Sequence, residues 1–522
     1  MTPYFQNIFS GETRQNRIFL FITAIFFHVL FWTIAPTFFL SNYQIDTMEM
    51  MVIGQNWVIS TFKHPAFQGW VVEIISRIFN RAEFVPYLVS QFACVLTIII
   101  VWRFAQKILS PKLALLAALT LLSYFYFHYD STVYNNRTFM RFFWIAAVYF
   151  LYLAFENNKK RYWILTGVML GLGIYCKFTI FVLVITILLY MFFEPQGRKY
   201  WKTWGPYFST VICFLIVLPL LIWIVQHHLS QFNYMFNSIG KEKPELIDHF
   251  FSPVRFLLSQ IPVVAVLLIP VYPIIGFCRR FDATKYRIDF TGRFLTFFIF
   301  VPFILQVLVA FFCAGNMRTA LGCHLWLLFP LYLLYTLKIP AEKEKFYSCS
   351  IKLVFGNIFI FALMTIFAAQ FAPFLTERDS RYHFPGKELA QTVQTIWSER
   401  YSTLVPFVRG DDSLTETVAV NLQHRPIVYS ELWSTEEDFR KRGGVLLWLI
   451  GEPGKLPRHS IRGCFGNRDF GYSLKTGQPD DWLQQFPNAE ILTPLELAPK
   501  TITKVPPIKI GIAIIPPSQD YE

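Results

Sequence analysis

The chain has 522 residues, 54% hydrophobic, 18% aromatic and only 16% charged, with a formal net charge of +13. Soluble domains carry about 25% charged residues, so a soluble multidomain protein is excluded, and this hydrophobicity also excludes disorder. Lys and Arg lie scattered between apolar runs without forming a basic stripe, which argues against nucleic acid as a partner.

Apolar runs of about 17 to 25 residues mark candidate membrane helices. Eleven are read in chain order, at 18–40, 84–104, 113–129, 138–155, 162–178, 179–193, 205–225, 255–277, 293–313, 322–337 and 352–372. The first is longer than a signal-peptide core and lacks a small-residue cleavage site, so it reads as an uncleaved anchor. Between the fifth and sixth runs, Cys176-Lys177-Phe178 is expected to turn at a membrane surface, because a lipid-facing Lys at mid-bilayer costs about 2.5 kcal/mol or more. With the N-terminus inside, the inside segments hold 20 Lys+Arg and 7 Asp+Glu, and the outside loops with the span ends beside them hold 10 and 8. That excess orients the N-terminus to the cytoplasm. An odd number of spans then puts the tail outside.

From residue 374 the composition changes, with 17 Lys+Arg against 19 Asp+Glu. A helix is expected from Pro385-Gly386 to about Arg400, with Leu389, Val393 and Ile396 at helical spacing. Strand candidates are Val418–Val420, Pro426–Tyr429, Val445–Ile450 and Ile508–Ile515, and a second helix fits Asp480–Phe486. The expected architecture is a polytopic α-helical membrane domain, 1–373, followed by a soluble α/β domain, 374–522, large enough to bury its own core.

The chemistry-bearing residues concentrate in the outside loops. Loop 41–83 is long, and its segments 45–60 and 66–80 read as short helices along the membrane interface. Asp46 stands at the end of the first span, and Glu49 lies three residues on, on the same helical face. The pair has two readings: a helix cap close to a capping box, or a base, with a supporting acid, that deprotonates an acceptor hydroxyl. Lys63-His64-Pro65 follows, its cations suited to a phosphate leaving group. The second outside loop, from His128 to Thr138, is dense in hydrogen-bonding groups; its Asn135 and Arg137 either line a sugar pocket or satisfy helix ends. Lys177 and Arg318 add positive charge at the same surface, with snorkelling as the alternative for Lys177. His227-His228 is a weak metal candidate, since adjacent side chains diverge on a helix. Cys313 and Cys323 read as a disulfide or as small apolar residues at helix ends. Asp411-Asp412 and Glu436-Glu437-Asp438 are expected to face solvent. There is no P-loop, dinucleotide fingerprint, zinc box or nucleophile elbow. A transferase working outside would therefore draw on a membrane-borne donor.

These residues resemble the polytopic GT-C glycosyltransferases, in the bacterial branch related to aminoarabinose lipid A transferases and protein O-mannosyltransferases. The resemblance spans about residues 15–340. It rests on Asp46-x-x-Glu49 with Gly54-Gln55-Asn56-Trp57 and Lys63-His64-Pro65, on Tyr134-Asn135-Asn136-Arg137-Thr138 with Trp144, on Gly167-x-x-x-Gly171-Leu172-Gly173-x-x-x-Lys177, and on Arg318-Thr319 through Trp326. Two departures stand out: Ala66 follows Pro65 where many relatives have a second proline, and Arg137 stands where one subgroup has Asn. The resemblance implies inverting transfer of a sugar from a polyprenyl-phosphate donor to an envelope acceptor (lipid A, another glycan or protein) on the outer side of the inner membrane. It implies Asp46 as the catalytic residue with Glu49 in support. The cation at Lys63 or His64, together with Lys177, would hold the donor phosphate, and Asn135, Arg137 and Arg318 are the remaining substrate-binding candidates. Some relatives bind a divalent metal near this site, and no ligand set here stands out for one. The glycines at 167 and 171 read as tight helix packing. The competing class is a transporter or flippase for a lipid-linked saccharide, which calls for ionisable residues deep in several helices and broken helices related by a repeat. Neither pattern is visible.

Overall fold

In the computed structural model, residues 9–232, 234, 244–275, 289–315, 317–337, 339, 346–370, 383–450, 485–498, 500 and 507–518 are described. The membrane part contains α1 (Arg14–Phe39), α2 (Ile45–Gln55), α3 (Phe67–Ile78), α4 (Val85–Ile108), α5 (Pro111–Thr120), α6 (Thr138–Asn157) and α7 (Lys160–Cys176). It continues with α8 (Ile180–Phe193), α9 (Trp204–Gln226), α10 (Asp248–Ile275), α11 (Phe290–Cys313), α12 (Phe329–Thr336) and α13 (Tyr347–Gln370). Among the described residues seven helices are long and apolar enough to cross a membrane, or nine if two bent pairs each count as one span. The expected count of eleven is therefore not met by length and composition. The 17 residues of α7 span about 25 Å at 1.5 Å per residue, short of a hydrocarbon core of about 30 Å. In run 322–337 only the 8 residues of α12 are helical, because 319–328 is taken up by tight turns. In the bent pairs, Pro111–Ser123 turns by 75° into Phe125–Thr132, and α8 turns by 88° into Pro195–Lys202.

Phe26, Leu215, Leu258 and Met364 are each more than half exposed on α1, α9, α10 and α13. An apolar belt of this kind is tolerated in lipid, not in water. The chain is a multi-pass membrane protein. The central helix α6 is the most enclosed of the spans. Close packing demands glycine at two places. A Cβ on Gly54 would stand 2.1 Å from the Gly69 carbonyl oxygen, so α2 and α3 cross backbone to backbone. On α7, a Cβ on Gly167 would meet the Ser209 carbonyl oxygen at 2.4 Å, and one on Gly171 would meet Ile216 at 2.9 Å. That is the packing role read for this pair.

The C-terminal region holds α14 (Gly386–Ser398), α15 (Asp412–Asn421), α16 (Glu436–Arg442), β1 (Phe407–Gly410), β2 (Ile427–Val428), β3 (Gly444–Leu449), β4 (Glu490–Ile491), β5 (Leu495–Leu497) and β6 (Ile508–Ile515). The sheet order is β2-β1-β3-β6-β4, with β5 also paired to β6. Strand β1 is parallel to β2 and β3, whereas β6 runs antiparallel to β3. Val445, Leu447, Ile510 and Ile512 pack under Leu389, Val393 and Trp397 of α14, while Leu446, Trp448 and Ala513 pack with Phe439 and Phe486 on the other face. Burial on both faces explains why β3 and β6 read as continuous apolar runs.

Val418–Val420 is helical, not a strand. Asp411 caps α15 by accepting from Ser413 N at 3.0 Å and Leu414 N at 3.3 Å. Leu414, Val418 and Leu422, spaced four apart, then face the core. The expected boundary at 373/374 and most of Asp480–Phe486 lie outside the described residues.

The sheet region is fastened to the first loop. Arg425 and Glu73, 2% and 0% exposed, form an ion pair at 2.7 Å. Glu73 also binds Arg77 at 2.7 Å and Arg81 at 3.8 Å. Gln55 Nε2 donates to the Arg425 carbonyl at 2.7 Å, and Val52 of α2 enters the C-terminal core.

Candidate active site

Gln44, not Asp46, occupies the cap of α2 and makes no side-chain capping bond. Asp46 is the second helical residue, half-buried, and Glu49 follows one turn later. The loop from Ser123 to Thr138 is tied to α3, where Gln68 Nε2 donates to the Asn136 carbonyl and Tyr134 Oη to the Gln68 carbonyl, both at 2.8 Å. In that loop Asp130 receives two guanidiniums: Arg137 meets Oδ1 at 3.4 Å and Arg141 meets Oδ2 at 3.4 Å. Arg141 is anchored by donating to the Tyr126 carbonyl at 2.9 Å. Burial opposes the charge on Arg137, but Asp130 and then Asp46 outweigh it and raise its pKa above the ordinary value. Asp46 therefore lies within electrostatic reach of the Arg137–Asp130 pair.

Asn135 spends its side chain within its own loop. Its Oδ1 accepts from Arg137 N at 2.9 Å, and its Nδ2 donates to the Val133 carbonyl at 3.0 Å. That fixes the backbone from which Arg137 projects. Lys177 caps α7 and is half-buried. It lies within electrostatic reach of Cys323 and His324, and Cys323 is also within reach of Arg137, Arg141 and Asp130. The late loop is stitched to the second loop by Tyr126 Oη donating to the Thr319 carbonyl at 2.7 Å and by Tyr124 Oη donating to the Cys323 carbonyl at 3.2 Å. Arg318 precedes this turn and is exposed at its rim. The group thus sets Arg137, Arg141 and Lys177 against Asp46 and Asp130, a net charge of +1 (3 − 2) suited to an anion.

A second group lies one turn along α2. A tight turn closed by the Ser60–Pro65 bridge presents Lys63, whose ammonium meets Glu49 at 3.3 Å. Burial disfavours that ammonium, but Glu49, Glu416 and Asp412 overrule it and hold its pKa above the usual lysine value. The His64 ring faces Tyr234 edge-on at 5.9 Å. His227 stacks on Trp223 with ring centroids 3.9 Å apart, and its Nδ1 lies 2.8 Å from the Trp223 carbonyl oxygen. Among the described residues no cluster of three His, Cys, Asp or Glu side chains is arranged to hold a metal ion. Cys313 and Cys323 are both free thiols.

The family model described as dolichyl-phosphate-mannose-protein mannosyltransferase matches residues 63–223. The chain also superposes on the crystal structure of ArnT from Cupriavidus metallidurans bound to undecaprenyl phosphate, with a TM-score of 0.59 and 12% identity over 97% of this chain and 99% of that one. The apo form of that protein gives a TM-score of 0.53 and 13% identity over 95% and 98%. No curated protein sequence matches the chain. The chain has the fold seen in ArnT.

Within this fold, several residues at the site were not singled out by the sequence. Asp130 and Arg141 had a signal, since an acid seven and eleven residues before two arginines, at the mouth of an apolar span, invites pairing. Glu416 had none, because its helix comes from the far end of the chain. The expected solvent exposure of Asp411-Asp412 holds for Asp412 only. Asp411 is a helix cap whose pKa is pushed to about 6, first by burial and, against its bonds to Leu414 and Ser413, by Asp412.

Proposed function

We propose that the protein is an inverting glycosyltransferase that moves a sugar from a polyprenyl-phosphate carrier to an envelope acceptor, a glycolipid such as lipid A, a glycan or a protein. The reaction is placed on the outer side of the inner membrane, with the N-terminus cytoplasmic and the 374–522 domain periplasmic. The observation that carries this reading is the grouping of Asp130, Arg137 and Arg141 where the second and late loops meet, with Asp46 and Lys177 within electrostatic reach. Support for the carrier comes from the same fold in ArnT, whose structure holds undecaprenyl phosphate.

In this scheme the Asp46 carboxylate takes the proton of the acceptor hydroxyl as its oxygen attacks the anomeric carbon. The bond from that carbon to the phosphate oxygen breaks on the opposite face, and its electron pair leaves on the carrier phosphate. A phosphate leaving group needs charge neutralisation more than protonation, which Arg137, Lys177 and Lys63 supply. Asp130 does not need to touch substrate; it sets the plane of the Arg137 guanidinium.

Asp46→Asn is expected to lower transfer by about 10²–10⁴-fold, the range for loss of a general base, with insertion and folding preserved. The readout is mass spectrometry of lipid-linked sugars and envelope glycolipids in cells with wild-type protein, the variant or neither. Unaltered glycolipid in cells carrying only the variant would refute the reading.

A further inference from the structure

The carboxylates around Lys63 come from two distant parts of the chain. Glu49 belongs to α2, while Glu416 and Asp412 belong to α15 in the C-terminal region. The two helices lie against each other: Thr417 Oγ1 reaches Met48 Sδ at 3.4 Å, and Asn42 Nδ2 donates to Thr417 Oγ1 at 3.3 Å. This packing puts the residue before Thr417, Glu416, within electrostatic reach of Glu49 and Lys63. Glu416 is only 8% exposed, and its Oε2 has no hydrogen-bond partner among the described residues. Glu49 pairs with the Lys63 ammonium at 3.3 Å, and Glu416 and Asp412 lie within electrostatic reach of it, a surplus of negative charge that α2 and the Lys63 turn alone do not create.

We propose that Glu416 is a positioning residue for Lys63, so that the docked C-terminal region, and not the membrane part alone, sets how freely this ammonium reaches an anionic lipid phosphate. The inference rests on the polyprenyl-phosphate reading above and deepens it. Burial first, then the negative charges of Glu49 and Asp412, push the Glu416 carboxyl well above the usual carboxylate range, with Lys63 opposing and Asp411 adding. Protonated Glu416 leaves Lys63 balanced by Glu49 and exposed Asp412. Ionised Glu416 adds a buried carboxylate that both holds the ammonium and repels phosphate. An acid with a raised pKa is neutral below that pKa and anionic above it. Phosphate affinity is therefore highest on the acid side and falls as pH rises through the Glu416 transition.

The groups facing this pair are Glu49 from α2, Tyr234 beside Lys63, and Asp411 and Asp412 from α15 itself. Tyr234 acts on Lys63 through its charge, and burial raises the Asp411 carboxyl to about 6. Both remain in place when only Glu416 is changed.

The test uses the full-length protein in phosphatidylcholine nanodiscs, with undecaprenyl phosphate as the probe and affinity measured from acid to alkaline pH. Wild type should lose about tenfold more affinity across the range than Glu416→Gln, the effect of one charge a few ångströms away under partial screening. The ionisation of the lipid phosphate is common to both proteins and divides out. Glu416→Met, apolar and of similar length, should repeat the Gln result. In a Lys63→Met background the Glu/Gln difference should vanish. Parallel pH curves for wild type and Glu416→Gln would overturn the positioning role while leaving the lipid-phosphate reading intact. Failure of wild type to bind the probe at any pH would overturn that reading, and the inference with it.

Discussion

The ion pair between Arg425 and Glu73 offers the sharpest test of how the C-terminal region is held. Glu73 is fully buried, and each of its carboxylate oxygens has one close partner: Arg77 Nε on Oε1 and Arg425 Nη1 on Oε2, both at 2.7 Å. In Arg425→Met the aliphatic stem is kept but Oε2 loses its donor. Breaking a buried pair from one side costs about 3–5 kcal/mol, because the remaining charge stays buried. Arg77 still neutralises part of that charge, and Arg81 lies 3.8 Å from Oε1, so the lower end, about 3 kcal/mol, is expected. Global melting of a two-part membrane protein does not isolate this contact. Hydrogen exchange does: about 3 kcal/mol of local opening energy corresponds to roughly 150-fold faster exchange in α15 and β2. In the Glu73→Gln/Arg425→Met double variant the acceleration should be much smaller than the sum of the singles, since no uncompensated charge remains. Less than threefold acceleration in Arg425→Met would refute the claim that this pair fastens the sheet region to the first loop.

Two further outcomes follow from the same geometry. Asp130→Asn removes the anion that holds both Arg137 and Arg141, and is expected to lower transfer by about 10–100-fold through misplacement of the Arg137 guanidinium; an unchanged rate in the glycolipid assay would dissociate Asp130 from the site. Gly54→Ala puts a methyl into the Gly69 carbonyl and should cost about 1–3 kcal/mol of overpacking, seen as a lower thermal midpoint and a displaced Lys63–Glu49 pair; an unchanged midpoint would contradict the backbone contact.

The elements that were legible in advance are those whose pattern is local. β3 and β6 declared themselves as apolar runs because both their faces are covered, and α14 because Leu389 and Val393 repeat at helical spacing. Strand β1 has four residues and exists because β2 and β3 pair with it on either side, which no window of sequence records. Val418–Val420 misled because β-branched residues favour strands in isolation. The cap at Asp411 and the core facing Leu414 and Val418 decided for a helix.

At the site the division is similar. Asp46, Glu49 and Lys63 lie within eighteen positions, so their association was readable from a single loop. The electrostatic reach of Asp46 to Arg137 joins two loops, and that of Glu416 to Lys63 joins distant parts of the chain.

By itself the sequence determined what composition and local periodicity can carry: a multi-pass membrane protein, an acid-and-base first loop, and an α/β tail of near-neutral charge. Under the topology expected from the sequence, the net charge of +13 would divide into +13 inside (20 − 7), +2 in the outside loops and the span ends beside them (10 − 8) and −2 in the tail (17 − 19), a pattern that bears on orientation and not on substrate. The tertiary structure decided which charges meet. Coulomb interaction depends on distance in space and on the water excluded around it, and burial in this fold brings Glu73 to Arg425 and Glu416 to Lys63 across hundreds of residues.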